Sequence, residues 1–192
     1  AAFGSHGSSS DIFGTGTPGQ IAYIAKADGS SGTWSWLTET GEYGGGGFAM
    51  VSGIATHGTD IYICGWFNGN VTFGSDQYRS TQDSTDAYVS KLNGNGQFQW
   101  TAVAGGVTDD DSCEDITADS NGNVFATGSF NGTANFNSNT VSTNGKMDIW
   151  IAEILTGQVT IGGNNWGWVY TAGGPEEDYG SSISTDGTHV FG

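Results

Sequence analysis

The stretch NVFATGSFNGTANF, residues 123–136, restates an earlier one, DIYICGWFNGNVTF, residues 60–73. Both place a Gly at the sixth position, then Phe-Asn-Gly, then a closing Phe, and they stand 63 residues apart. Other landmarks keep the same step. IAYIAK (21–26), DAYVSK (86–91) and DIWIAE (148–153) form one set. A Trp followed five residues later by Gly forms another: Trp36 and Gly41, Trp100 and Gly105, Trp168 and Gly173. GIATHG (53–58), DITADSNG (115–122) and SISTDG (182–187) form a looser third, and THVFG (188–192) begins a further copy of the opening stretch. A fixed period of this length means stacked supersecondary units. The chain of 192 residues therefore reads as a single domain of about three units, approximately 1–65, 66–128 and 129–192.

Each unit reads as four strands. In the second, EDITADS meets the turn NGN, VFATGSF follows with the extension TANF, and DIWIAEIL and WGWVYTAGG come after a polar loop. Short Val, Ile, Tyr, Phe and Trp runs alternating with small polar residues and bounded by Asn-Gly and Gly-Gly are strand-and-turn chemistry. Turns at every junction let neighbouring strands pair antiparallel as a meander. Composition agrees: 34 Gly, 2 Pro and 12% charged residues are not the make-up of a helical protein. One small sheet cannot cover both its apolar faces, and stacking covers them. The fold class expected is all-β, a set of β-propeller blades in antiparallel four-stranded meanders.

The same residues resemble a known family. Asp119 to Phe136, Asp148 to Ile154 and Trp168 to Gly174 look like the SBBP-type β-propeller repeats of bacteria and archaea, and the resemblance runs over nearly the whole chain. It implies a fold and says nothing of chemistry. Departures are Ile21 where the other units have Asp86 and Asp148, Glu153 in place of Lys26 and Lys91, and a longer loop, LTGQVTIGGNNW. Closed propellers have four to eight blades. The chain starts and stops inside one repeat, so the expectation is a segment of a larger propeller. The alternative is a chain that completes its ring with other copies.

Charge narrows the partners. Twenty acidic residues against 4 Lys and Arg give a net charge of −16, which excludes the cationic surface that nucleic acid demands. No run of 18 apolar residues is present, so membrane insertion is not expected. The acidic, Lys-poor composition and the sequons at Asn70 and Asn131 point to an extracellular or cell-surface setting, with a virion surface as the alternative.

No catalytic constellation stands out. His6, His57 and His189 share no metal-ligand spacing, no Gly-x-Ser-x-Gly elbow occurs, and EYGGGGF (42–48) lacks the Gly-Lys-Ser/Thr of a phosphate loop. No cofactor is expected. The acidic loop Asp109, Asp110, Asp111, Glu114 and Asp115 is the candidate for calcium, which takes clustered carboxylate oxygens with tolerant geometry. GGPEEDYG (173–180) lies at the equivalent place, and Asp28 reads as a turn residue. Cys64 and Cys113 can pair as a disulfide. The aromatics recurring at the repeat period, Tyr23, Tyr88 and Trp150 in one set and Trp36, Trp100 and Trp168 in another, read as packing between blades. Trp66 and Trp166 break the pattern and are the candidates for exposed, ligand-binding rings. The expected function is a non-catalytic structural or adhesive surface module that assembles with other copies or with the rest of a longer chain. The alternative is a propeller that binds glycans or a surface protein.

Overall fold

The computed structural model describes residues 21–81, 84–107, 109–157 and 165–192; His6 and the AAFG start lie outside them. All its regular elements are strands. They are β1 (Tyr23–Ala27), β2 (Trp34–Glu39), β3 (Gly41–Glu42), β4 (Phe48–His57), β5 (Asp60–Asn68), β6 (Asn70–Phe73), β7 (Asp76–Arg79) and β8 (Thr85–Leu92). There follow β9 (Phe98–Ala104), β10 (Ser112–Ala118), β11 (Val124–Phe136), β12 (Asn139–Ile154), β13 (Trp166–Ala172), β14 (Ser184–Thr185) and β15 (Val190–Phe191).

Two complete four-stranded sheets form, in the orders β4-β5-β8-β9 and β10-β11-β12-β13, antiparallel throughout. They are blades 2 and 3. The pair β1-β2 and the pair β14-β15 stand as separate two-stranded sheets. By the repeat, β1-β2 correspond to the third and fourth strands of a blade and β14-β15 to the first and second. Among the described residues the sheets thus make two whole blades and two complementary halves. The sheets are also phased differently from equal thirds, since the divisions at 65/66 and 128/129 fall inside β5 and β11.

Alternation along the strands explains the stacking. On β5, Ile61, Ile63 and Phe67 turn to one core with Ile24, Phe73 and Tyr88, while Tyr62 and Cys64 turn to a second core with Trp100, Cys113, Phe130 and Trp150. Blade 2 is therefore buried on both faces, against β1-β2 on one side and blade 3 on the other. Each such large apolar side chain contributes about 1.5–3 kcal/mol on burial.

Two glycine positions show why the repeated stretch is written as it is. A side chain on Gly65 would strike the Met50 carbonyl and the Tyr88 ring, and one on Gly128 would strike the Ser112 carbonyl. The close approach lets Tyr88 Oη donate to Met50 O at 2.9 Å and Trp150 Nε1 donate to Ser112 O at 3.0 Å, one bond per blade from the third strand back to the first. At the hairpin β6-β7, Gly74 has φ 65°, and 63 residues on Asn137 takes φ 59° at the β11-β12 turn. Asn is among the few side chains that tolerate this left-handed conformation.

Candidate functional site

The blade faces carry the aromatic chemistry, and a bulge sorts it. The ladder between the third and fourth strands slips at Lys26/Ala27, Lys91/Leu92 and Ala152/Ile154. An extra residue in one strand reverses which face its neighbours present. Aromatic-x-Trp therefore sends its two rings to opposite faces: Trp34 and Trp36, Phe98 and Trp100, Trp166 and Trp168. Phe98 and Trp166 face the preceding blade, and Trp36 and Trp100 face the following one.

Trp166 is accordingly a correction. It takes the place of Phe98, is only 2% exposed, stacks edge-on with Phe136 and Trp150, and donates Nε1–H to Val103 O of blade 2 at 3.1 Å. It is core and offers no exposed platform. The triplet recurrence WSW, FQW, WGW was the signal that places it, and it was present in the sequence. Trp66 is half-buried, with Phe48 edge-on to it at 5.5 Å.

The second ring of the triplet gives the site. Trp36 is half-buried and donates Nε1–H to Gly94 O of blade 2 at 3.0 Å, and Trp100 is 6% exposed in the core shared with blade 3. Trp168, expected to be core by the same rule, is 36% exposed, beside Phe125 at 5.9 Å and Tyr170 at 5.4 Å; Tyr170 is 71% exposed. Near the inner end of this face Gly180 lies against Ile149 and Gly192 against Ile151. The outer part is left as an aromatic row in solvent. At the opposite end of the stack, Leu37 on β2 is 51% exposed and Tyr23 on β1 is also exposed.

The five acids of the 109–115 loop do not converge. Asp110 Oδ1 accepts from Thr85 N at 2.9 Å, and Asp115 Oδ2 accepts from Ile183 N at 2.9 Å and from Ser182 Oγ at 3.1 Å, tying β10 to the chain before β14. Asp111 turns inward, accepting from Gly106 N at 2.7 Å and Asn131 N at 3.3 Å. Among the described residues no group of three or more His, Cys, Asp or Glu is arranged to hold a metal ion. Asp28 is a turn residue, its Oδ1 accepting from Ser30 N at 3.0 Å and Ser31 N at 2.8 Å.

Inward from that loop, Asp86 is buried near Asp111. Burial raises the Asp86 carboxyl to about 7, against a bond from Thr81 N–H. Burial likewise raises Asp111 to about 7, against the Gly106 and Asn131 bonds and with the charges of Asp86 and Asp109 adding to the rise. Cys64 and Cys113 are free thiols buried together in the core between blades 2 and 3; burial first, then its contact with Cys64, holds the Cys113 thiol well above its ordinary value. His57 Nε2 lies 3.3 Å from Ser120 O of blade 3, and His189 lies 3.3 Å from Asp186. A shallow groove of about 270 Å³ runs between blades 2 and 3, lined by Tyr78, Thr101, Val103, Asn135, Asn137 and Trp166. Its lining is amide, hydroxyl, aromatic and aliphatic, without an acid-base pair.

Residues 99–137 match the family model described as Beta-propeller repeat, SBBP. The matched span covers most of β9, the acidic connection, β10 and all of β11 to the β11-β12 turn. The described residues are all-β, and the chain carries one matched β-propeller repeat, SBBP, over residues 99–137. No curated protein matches the chain.

Proposed function

We propose that this chain belongs to a non-catalytic structural module that assembles by completing a blade, with another copy or with the remainder of a longer chain. The observation that carries the reading is the pair of complementary halves. β14-β15 form the inner half of a blade, β1-β2 form the outer half, and among the described residues neither pair has a further strand beside it. The β1 edge of one copy would continue the β15 edge of the next, as β8 continues β5 and β12 continues β11 within the chain. Unpaired edges of this kind recruit strands.

The faces match in the same sense. The Phe125, Trp168 and Tyr170 row lies where Trp36 and Trp100 meet a following blade, and the outward side of β1-β2 bears Tyr23 and Leu37 where Tyr88 and Trp150 meet a preceding one. An exposed aromatic face rimmed by polar residues marks an interaction surface. The contact is head-to-tail and closes only if the rotation closes. Two copies would give a ring of about six blades, inside the four-to-eight range of closed propellers.

The same reading takes the module as extracellular, on a cell or particle surface, where such rings serve attachment. Its support is compositional: a net charge of −16, four Lys and Arg, and two sequons. The test is the native mass of the chain against that of a variant with Trp168→Ser and Tyr170→Ser. Association in the parent and its loss in the variant are expected; a parent that stays monomeric overturns completion by copies.

A further inference from the structure

We infer that the chain binds hard divalent cations of the calcium class at two equivalent sites, one between Asp86 and Asp111 and one between Asp148 and Asp178. This inference does not depend on assembly.

The starting observation is a pair of orphaned oxygens. Asp86 is 4% exposed and Asp148 3%, and Oδ1 of each is buried with no hydrogen-bond partner. The other carboxylate oxygen is satisfied alike in both: Asp86 accepts from Thr81 N–H, and Asp148 Oδ2 accepts from Asn144 N–H at 2.8 Å. A buried carboxylate oxygen left without donor or cation is costly. Its occurrence at the same position of two repeats makes it a designed feature of the unit.

The orphan oxygens point to the same kind of place. A side chain on Gly105 would strike Asp86 Oδ1 and come within 3.2 Å of Asp111 Oδ2, and one on Gly173 would strike Asp148 Oδ1. Neither glycine has positive φ, so each is kept for space and not for conformation. The second acid arrives by the same device in both repeats. Asp111 N donates to Thr85 O at 2.9 Å and Asp178 N to Met147 O at 2.7 Å. Gly106 N then donates to Asp111 Oδ2 at 2.7 Å and Gly174 N to Asp178 Oδ2 at 2.8 Å. A side chain on Gly106 would come within 2.6 Å of the Thr133 carbonyl and 3.6 Å of Asp111 Oδ2, so a backbone oxygen also borders the first site.

Charge decides the ligand. The ion pairs of Lys91 and Lys146 go to Asp60 at 2.6 Å and Glu176 at 2.8 Å, and no Lys or Arg of the described residues is paired with these four aspartates. Water alone would satisfy a lone pair and leave two negative charges, both buried at the first site and one buried at the second. One shared proton would remove one of them. A divalent cation balances both, and calcium accepts carboxylates, carbonyls and water in irregular numbers. The first unit supplies the contrast. Ile21 replaces the aspartate, and the space at Gly41 holds Thr72 Oγ1.

The test is calorimetric titration of the chelator-treated full chain with calcium chloride, with thermal melting alongside. The parent is expected to bind two ions and to melt higher with calcium. Asp86→Asn and Asp148→Asn keep the shape and remove the charge; each is expected to lose one ion, its affinity falling on the order of tenfold or more. The two sites are separate, so failure of one variant to fold leaves the other informative. Absence of both heat and melting shift overturns the inference. So does binding that survives in the double variant, which would move the ion to the Asp109, Asp110 and Glu114 side of the loop. So does a calcium-indifferent melting point that falls as pH rises from 5 to 8 in the parent but not in Asp86→Asn, the mark of a shared proton.

Discussion

Trp166 Nε1 donates to the Val103 carbonyl at 3.1 Å across the boundary between blades 3 and 2, with Phe136 and Trp150 edge-on around the indole. The bond fixes blade 3 at one height on blade 2, as Trp36 to Gly94 does between β1-β2 and blade 2. Trp166→Ala removes a buried indole and is expected to cost about 3–5 kcal/mol. Trp166→Phe keeps most of the packing and removes the donor, for about 1–3 kcal/mol. Denaturant midpoints of the two variants check the order. Equal, small losses would mean the ring is not in the interface.

Gly128→Ala forces a methyl into the Ser112 carbonyl and to within 2.8 Å of the Cys113 Cα, both on β10. Backbone cannot yield as a side-chain tip does, so a loss of about 3 kcal/mol is expected. Gly29 is the control: nothing lies within 4 Å of an added methyl there, and Gly29→Ala is expected to shift stability by less than about 0.5 kcal/mol. Thermal melting of the pair reads the difference. A Gly128→Ala protein as stable as the control would contradict the close packing of the first and second strands.

Cys64 and Cys113 are both fully buried, and the Cys113 thiol is held protonated by that burial. The thiolate is the reactive form. Iodoacetamide at neutral pH is therefore expected to leave both untouched in the folded chain and to label two in denaturant without reductant. Rapid labelling of the folded chain would contradict the burial. Silence in denaturant would show a disulfide between Cys64 and Cys113.

The period, the strand count per unit and the stacked cores were legible because apolar alternation and turn glycines act locally. Tyr88 and Trp150 recur at one step and do the same work, reaching back to Met50 and Ser112. Trp166 was misread because a bulge reverses faces without altering residue types. Reading Trp34, Phe98 and Trp166 as one set needed the aromatic two places before each repeated Trp. Trp168 was read as core because the repeat makes it so. Its exposure depends on what stands beside the sheet, which no periodicity encodes. The Asp86 and Asp111 juxtaposition was hidden for a related reason: the acidic loop looked like one cluster, and only the fold turns Asp111 in and Asp110 and Asp115 elsewhere.

The central claim is that the aromatic row of blade 3 and the two half-blades are one contact shared between copies. Sedimentation equilibrium of the parent chain, of mass 19.8 kDa, and of the Trp168→Ser, Tyr170→Ser variant tests it most directly. The expected result is a parent at twice the chain mass and a folded variant at the chain mass. A parent that remains at 19.8 kDa over the whole concentration range, or a variant that associates equally well, would contradict it.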